Sequence, residues 1–248
     1  MSHDPRRAAR AAALLAAAAA QLATGCTDLS QRWELDHARV LAVRLSAPGL
    51  AAGEAATIDA LVVDDAGAPA VMTPTAASLT AGPGAPASGS APVTIAPAEA
   101  GWTVVAGDAA AIAAARVAAG LTDDQPLDVA FGAVFTIGDA SFIATKRVRL
   151  GEALANPPAP TIRVDGAVAA GVVTIARDRE IALTVDGVAD DPSLEIAWLT
   201  GTGTLTYSQT ARATLEVAAD DPAAGHVVVV VRSDTGGVAW ATAEVAVD

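Results

Sequence analysis

The chain has 248 residues, of which 28 are acidic and 15 are lysine or arginine, so its formal net charge is −13 at neutral pH. A surface this acidic repels phosphate backbones and anionic headgroups, which argues against nucleic acid as a partner and against membrane attachment through a basic patch. Cys26 is the only cysteine, and this excludes an intramolecular disulfide.

The first 25 residues are predicted to be a cleaved lipoprotein signal peptide. Arginines precede a short, alanine-rich apolar stretch, 11–20, as in secretory signal peptides. The segment 23–26 (ATGC) resembles the lipobox of bacterial lipoproteins, with Ala23 in a place where leucine is usual. This resemblance implies cleavage after Gly25 and a lipid on Cys26. The alternative is an ordinary signal peptide followed by a chance cysteine.

The lipid on Cys26 is expected to be the membrane anchor. A lone cysteine in an exported chain calls for an explanation, and acylation supplies one. Residues 26–37 then form a lipidated tether, and no later apolar run is long enough to cross a bilayer. By resemblance to lipoprotein sorting in enteric bacteria, Thr27 favours the outer membrane, facing either the periplasm or the cell surface.

Residues 38–150 are predicted to form a first β-sandwich domain. Apolar side chains recur at every second position from the start of this segment, and again over 129–137 and 142–150, which form a hairpin. The segment 68–100 is rich in alanine, proline, glycine and serine. It is predicted to be a long loop with one strand near 93–96.

One short helix is predicted in this domain, near 108–119. Asp108 can cap its first turn, alanines fill its body, and Gly120 ends it. After the domain, the proline-rich segment 151–160 is predicted to be a stiff linker, because consecutive prolines restrict the backbone. The linker is the strongest candidate for a domain boundary.

A second β-sandwich is predicted over 161–248, because short strand patterns recur there with turn residues and no helix between them. The strand patterns lie at 161–165, 171–176, 180–185, 193–199, 203–207, 212–217, 225–232 and 238–247. The fold class is therefore all-β, with two sandwich domains and one short helix in the first.

The two ends of this region resemble uncharacterised lipoproteins of myxobacteria and related bacteria. At the first end the resemblance rests on 39–44 (RVLAVR), 52–54 (AGE) and 61–64 (LVVD). At the second it rests on 196–198 (IAW), 203–205 (GTL), 229–234 (VVVRSD) and 236–240 (GGVAW). The second set is similar to the bacterial immunoglobulin-like domain of those proteins. The resemblance implies a location and a fold, and no established activity.

No group of residues in the sequence has the pattern of a catalytic centre. The predicted mature chain has two histidines, His37 and His226, with no Gly-x-Ser-x-Gly turn and no second histidine at metal-ligand spacing. The glycines of 201–204 precede strand residues rather than a helix, which is typical of a tight strand connection. We therefore predict no enzymatic activity, no metal site and no cofactor.

Paired aspartates at loops are the main candidates for ligand binding. Among these pairs, Asp190 and Asp191 are the first candidates for calcium ligands, since calcium prefers several carboxylate and carbonyl oxygens. They lack the spaced aspartates of a calcium loop, however. The alternative is that these aspartates are ordinary turn residues.

The last two tryptophans are distinguished by the face of the strand on which they lie. Trp198 shares its face with Leu194 and Ile196 and is predicted to be a core residue. Trp240 lies opposite a face of alanines and valines, so it is a candidate contact for a partner or a sugar. The alternative is that a bulge returns Trp240 to the core, or that it packs against the other domain.

These features together predict a non-catalytic, lipid-anchored protein of the cell envelope. Its β-sandwich domains would serve protein interaction, adhesion or structural support. The alternative hypothesis, which depends on Trp240 and the paired aspartates, is a carbohydrate- or calcium-binding surface module. The partner would be the membrane, through the lipid on Cys26, together with an envelope protein or a glycan.

Overall fold

The computed structural model describes residues 31–80, 91–99, 101–122, 124–188 and 191–248. The chain divides into an N-terminal unit that ends at Arg32 and a second compact unit, Trp33–Asp248. The predicted signal peptide, Cys26 and the first part of the predicted tether lie outside the described residues. Within the described residues, no helix is both long enough and apolar enough to cross a membrane.

The described residues of the first sandwich form nine strands and one helix. Its strands are β1 (Arg39–Leu45), β2 (Gly49–Leu50), β3 (Ala55–Val63), β4 (Pro69–Met72), β5 (Ala76–Leu79), β6 (Val93–Ala98), β7 (Gly101–Ala106), β8 (Leu127–Ile137) and β9 (Ala140–Leu150). One sheet has the order β1-β3-β7-β6, with β4 also paired to β3, and the other has the order β2-β9-β8-β5. The β2–β9 pair is parallel.

Apolar alternation explains the core of the first sandwich. Along β8 every second side chain is buried except Val129, which is half-buried, and Phe131 and Phe135 are fully enclosed between the two sheets. The β8–β9 hairpin pairs over its whole length, from Leu127 opposite Leu150 to Ile137 opposite Ala140. The structure therefore confirms the predicted hairpin, and each of its strands begins two residues earlier than predicted.

The helix α1 (Ala109–Ala118) lies between β7 and β8, where the sequence predicts it. An Asp108 side-chain oxygen accepts a hydrogen bond from the backbone nitrogen of Ala111 at 2.7 Å, as expected of an N-cap residue. Gly120 follows the helix at φ +68°, a left-handed conformation that glycine adopts at low cost. Ile112 and Ala115 face the core of the first sandwich.

The second sandwich contains the remaining nine strands. They are β10 (Thr161–Val164), β11 (Ala167–Val168), β12 (Val172–Ile175), β13 (Glu180–Asp186), β14 (Leu194–Thr200), β15 (Thr204–Thr206), β16 (Arg212–Glu216), β17 (Ala224–Ser233) and β18 (Val238–Val247). The sheet orders are β11-β10-β13-β16-β15 and β12-β18-β17-β14. All eight predicted strands are present. Trp198 is a core residue, as predicted, and is 1% exposed.

Both sandwiches have the strand order of an immunoglobulin domain, in which strands A, B, E and D form one sheet and C, F and G form the other. The first sheet is β1-β3-β7-β6 in the first sandwich and β10-β13-β16-β15 in the second. The second sheet contains β5-β8-β9 and β14-β17-β18, respectively. In each sandwich a short strand, β2 or β12, pairs in parallel with the last strand. The sequence predicts this topology only for the second domain, whereas the structure has it in both.

The long loop predicted over 68–100 is wrong in its first part, where the strands β4 and β5 lie. The one strand predicted within it, near 93–96, is present as β6, and residues 81–90 lie outside the described residues. The strands β4 and β5 have four residues each and are exposed on most side chains, so their sequences show little alternation. Their pairing with β3 and β8 comes from the sheets they join, which a local pattern does not reveal.

Part of the predicted tether pairs with the second sandwich. The backbone of Leu35 donates to the carbonyl of Thr200 at 2.8 Å, and the nitrogen of Thr200 donates to the carbonyl of Trp33 at 2.8 Å. The side chain of Trp33 packs against the core of the second sandwich. The predicted boundaries of the tether, the domains and the linker stay predictions.

Candidate functional site

A dedicated apolar cluster joins the two sandwiches, in addition to the core inside each. Its buried members are Leu35, Ala42, Leu61 and Val63 before the linker and Leu199, Val228, Val230 and Val238 after it. The neighbouring valines of β17 at 227, 229 and 231 face the core of the second sandwich. The strand β17 is therefore buried on both faces. Full burial of an aliphatic side chain contributes about 1.5–3 kcal/mol, so the junction stabilises the pair substantially.

The linker residue Asn156 is hydrogen-bonded to both sandwiches. Its amide nitrogen donates to the carbonyl oxygens of Leu45 at 2.7 Å and Ser46 at 3.1 Å. Its amide oxygen accepts from the backbone nitrogen of Val238 at 2.9 Å. These three bonds fix the linker against the end of β1 and the start of β18.

Trp240 lies at the junction, on the side of β18 that faces away from the core of its own sandwich. The Arg44 guanidinium carbon lies 4.1 Å from the centroid of its ring, within the range of a cation–π interaction. Asp59 holds Arg44 in place by accepting from Nε at 3.0 Å and from Nη2 at 2.6 Å. One face of the ring is thereby occupied within the chain, and a role of Trp240 in contacting a partner stays a prediction.

A cleft of about 280 Å³ lies beside this junction. Its walls are β1 at 40–43, β9 at 144–146, and the β17–β18 turn with its flanks at 232–233 and 236–238. Lys146 and Arg232 are the charged side chains of this lining, and the lining contains no carboxylate. We call this space the junction cleft.

Lys146 reaches the junction cleft from the edge of the first sandwich. It stands opposite the buried Phe131 in the β8–β9 ladder, at a position whose side chain points toward the space between the two sheets. Because β9 lies next to the open edge beside β1, the largely buried side chain carries its ammonium out into the cleft. There Nζ donates to the carbonyl oxygen of Gly236 at 2.5 Å.

The electrostatics of the junction cleft disfavour a charged lysine. Burial, together with the positive charge of the nearby Arg232, lowers the pKa of Lys146 from 10.5 to about 8. Arg232 Nη2 in turn donates to the carbonyl of Leu41 at 2.9 Å, which fixes one arm of its guanidinium against β1. Two cations therefore share a partly enclosed space in a chain whose net charge is −13.

One feature of the sequence indicates this site, although the alternation of apolar residues by itself does not reveal it. Lys146 is the only lysine in the chain, among 15 basic residues. It lies on the core-facing side of β9, between Ala144 and Val148. A lysine at such a position must reach a pocket or an edge, since an unpaired buried ammonium is costly.

The structure does not bring the other predicted site residues to the cleft. Cys26 and Asp190 lie outside the described residues. Asp191 accepts from the backbone nitrogen of Ser193 at 2.9 Å and from its hydroxyl at 2.6 Å, as in an Asx turn. The same hydroxyl and amide lower the pKa of the Asp191 carboxyl. No group of three metal-ligating side chains that could hold an ion is found in the described part of the chain.

A second, more acidic cavity of about 180 Å³ lies where the segment around Leu35 meets the β14–β15 turn. Its lining includes Glu34, Asp36 and Asp221. Thr202 is buried in its wall and donates to the carbonyl of Pro222 at 2.7 Å. The turn is the tight strand connection that the sequence predicts at 201–204. The hydroxyl of Thr200 donates to the carbonyl of Thr202 at 2.6 Å, so both buried threonine hydroxyls are hydrogen-bonded within the chain.

No family model and no curated protein sequence matches this chain. Among solved structures it is similar to murine CEACAM1b, with 14% identity, coverage of 84% of this chain and 100% of that one, and a TM-score of 0.32. It is also similar to the N-terminal Ig1-2 module of the Drosophila receptor protein tyrosine phosphatase DLAR, with 13% identity, coverage of 86% and 99%, and a TM-score of 0.28.

A further similarity is to a nucleoside hydrolase-related hypothetical protein from Saccharophagus degradans that is associated with carbohydrate metabolism. It has 18% identity and a TM-score of 0.30. The match covers 38% of this chain and 26% of that one, so this chain spans about a quarter of its length. The assignment of an immunoglobulin-like fold depends on the strand order of the two sandwiches and not on these similarities.

Proposed function

We propose that this chain is a non-catalytic, lipid-anchored protein of the cell envelope that presents two firmly joined immunoglobulin-like sandwiches to a protein partner. The observation that carries the proposal is the exposed outer face of β8 and β9 in the first sandwich. The equivalent face of the second sandwich, on β14, β17 and β18, is covered by β1 and β3. Within this chain, that face of the fold already serves as a binding surface.

The outer face of β8 and β9 has the character of a protein-binding surface. Its centre is Ile143, which is 79% exposed and lies opposite Val134. The neighbouring pair is Gly132 opposite Thr145, so the surface beside the isoleucine is flat. An exposed isoleucine beside a glycine, with the charged Asp128, Arg147 and Arg149 further along the same face, suits contact with a folded partner through both apolar and polar groups.

The experiment is site-specific photo-crosslinking in the native host with the full chain. A photoreactive amino acid replaces Ile143 in one variant and Val117 in the control. Val117 lies on α1 and is also 79% exposed, so the two probes are equally accessible. A discrete protein adduct at position 143 and none at position 117 is the expected result. Equal, diffuse labelling at both positions would overturn the assignment of this face.

The lipid anchor is a separate part of the proposal and has its own test. It is supported by the resemblance of 23–26 to a lipobox and by the single cysteine at the end of that segment. Metabolic labelling with an alkyne fatty acid should mark the wild-type chain and leave Cys26→Ala unmarked. The variant should also shift from the membrane fraction to the soluble fraction. Labelling of both proteins, or of neither, would contradict the anchor.

The carbohydrate-binding alternative is an outcome of the same crosslinking experiment, and the calcium-binding alternative has a test of its own. Crosslinks to polysaccharide in place of protein would favour the first alternative. For the second, calcium added to the purified full chain should raise its melting temperature, and Asp191→Asn should abolish the rise. Absence of such a rise would remove calcium from consideration.

A further inference from the structure

The junction cleft has the composition of an anion site. Lys146 and Arg232 contribute its two charges, and Ser233 lies in the same wall. Acidic residues outnumber basic ones by 28 to 15 in the sequence, yet the described residues that line this space include no aspartate or glutamate. The nearby turn residue Asp234 is exposed and acts on Arg149 rather than on Lys146.

The ammonium of Lys146 has more N–H donors than the one acceptor at Gly236 can use. An ammonium has three N–H donors, and Lys146 directs one of them to the carbonyl of Gly236. Ser233 is held in place by Thr235 at 2.8 Å and by the backbone nitrogen of Gly237 at 2.8 Å. The site is therefore ordered on the protein side before any ligand enters.

Burial and the positive charge of Arg232 both disfavour the charged form of Lys146, and a bound anion would favour it. Two like charges in a partly enclosed space repel each other, and burial removes part of the hydration of the ammonium. Both effects lower the pKa of Lys146. A negatively charged group between the two side chains would reverse both, since charge-assisted hydrogen bonds to oxyanions are among the stronger ones in proteins.

We propose that the junction cleft binds the oxyanion group of a small molecule between the Lys146 ammonium and the Arg232 guanidinium. A volume of about 280 Å³ admits a phosphate ion or a molecule the size of one sugar ring. Carboxylate and phosphate oxygens share the chemistry that this pair recognises, so the ligand carries a carboxylate or a phosphate group. This site is independent of the exposed face of β8 and β9.

The single lysine makes the site directly observable. Selective ¹⁵N and ¹³C labelling of lysine in the full chain gives one side-chain signal, which belongs to Lys146. Inorganic phosphate and glucuronate are titrated separately, with sodium chloride at matched ionic strength as the control. We expect saturable shifts and a rise of about one unit or more in the pKa of Lys146.

Each outcome of this titration has a definite meaning. A response to phosphate alone assigns a phosphate species, and a response to glucuronate alone assigns a carboxylated sugar; a response to both supports the shared oxyanion chemistry. The proposal is overturned if neither anion shifts the signal, or if chloride shifts it equally.

Variants test the geometry of the site. Arg232→Gln should weaken anion binding about tenfold or more, because it removes a charge-assisted contact. The matched control is Arg212→Gln, which removes an exposed arginine on β16 and should leave the affinity unchanged. In a thermal-shift measurement, the better-binding anion should raise the melting temperature of the wild type but not of Lys146→Met. Equal rises in both proteins would refute the site even if Arg232→Gln proves unstable.

Discussion

Arg44 of the first sandwich lies 4.1 Å from the ring centroid of Trp240 in the second, and Asp59 orients its guanidinium. The contact connects β1 to β18 across the apolar cluster that joins the sandwiches. The half-buried ring of Trp240 therefore lies in the apolar cluster to which both sandwiches contribute. The stability of the whole pair should therefore respond to changes at this point.

Trp240→Ala is expected to lower the free energy of unfolding by about 2–4 kcal/mol, because it removes the cation–π contact and leaves a gap in the junction cluster. Urea denaturation followed by circular dichroism measures the change. Tyr207→Ala is the control, since Tyr207 is an aromatic residue that is 71% exposed. Equal effects of the two substitutions would contradict a structural role for Trp240.

Asn156→Ala should loosen the linker. It leaves the Val238 amide without its acceptor and two carbonyl groups without their donor, at a cost of about 1–3 kcal/mol. Amide hydrogen exchange at Val238 should become faster in this variant. Asn156→Asp retains the acceptor and loses the donor, so it should lower stability while Val238 stays protected. Unchanged exchange in Asn156→Ala would show that Asn156 does not hold β18.

The lowered pKa of Lys146 predicts a pH dependence of stability with a definite sign. The folded-state pKa is about 8, against an ordinary value of 10.5. Between these values the unfolded chain binds more protons, so the contribution of Lys146 to the free energy of unfolding rises with pH. At pH 7 the burial cost is fully present, and above 10.5 it has disappeared.

Lys146→Met should therefore stabilise the protein at pH 7 by about 1–3 kcal/mol, less whatever the bond to Gly236 contributes. The gain should shrink through the window between pH 8 and 10.5, as measured by urea denaturation at several pH values. Lys146→Arg keeps the charge at every pH and should show no gain. A pH-independent difference between Lys146→Met and the wild type would contradict the lowered pKa.

Val230→Asp tests whether the junction makes the two sandwiches unfold together. Val230 is completely buried between them, and an aspartate there is an unpaired buried charge. Because each sandwich has its own core, we expect one calorimetric transition in the wild type and two in Val230→Asp. Val168→Asp, at a site on β11 that is 51% exposed, should keep one transition. A single transition in Val230→Asp would show that the junction is not what couples them.

Much of the fold could be predicted from local patterns. The alternation along β8 and β9, the capping residue Asp108 and the turn glycines produced boundaries within a few residues of those observed. These signals are local, because side-chain alternation and capping depend on neighbours in the sequence. The short strands β4 and β5 were missed, because tertiary pairing forms them.

The junction could not be predicted for a related reason. The five valines 227–231 of β17 indicate burial on both faces, and such a run does not specify what covers the second face. The alternation around Trp240 placed it correctly on the side away from its own core, yet only the structure brings Arg44 to its ring. The junction cleft likewise depends on β1, β9 and the β17–β18 turn meeting in space.

The parallel pairing of β12 with β18 has a mechanical consequence. Four residues of β12, from Val172 to Ile175, pair in register with Glu244 to Val247, and Asp248 donates to the carbonyl of Ile175 at 3.0 Å. A force applied between the linker and Asp248 pulls these two strands in opposite directions along their common axis. The hydrogen bonds then carry the load together, in shear, instead of opening one after another like a zipper. The last strand of the second sandwich should therefore need a higher force for its detachment in this shear geometry than it would in a zipper geometry.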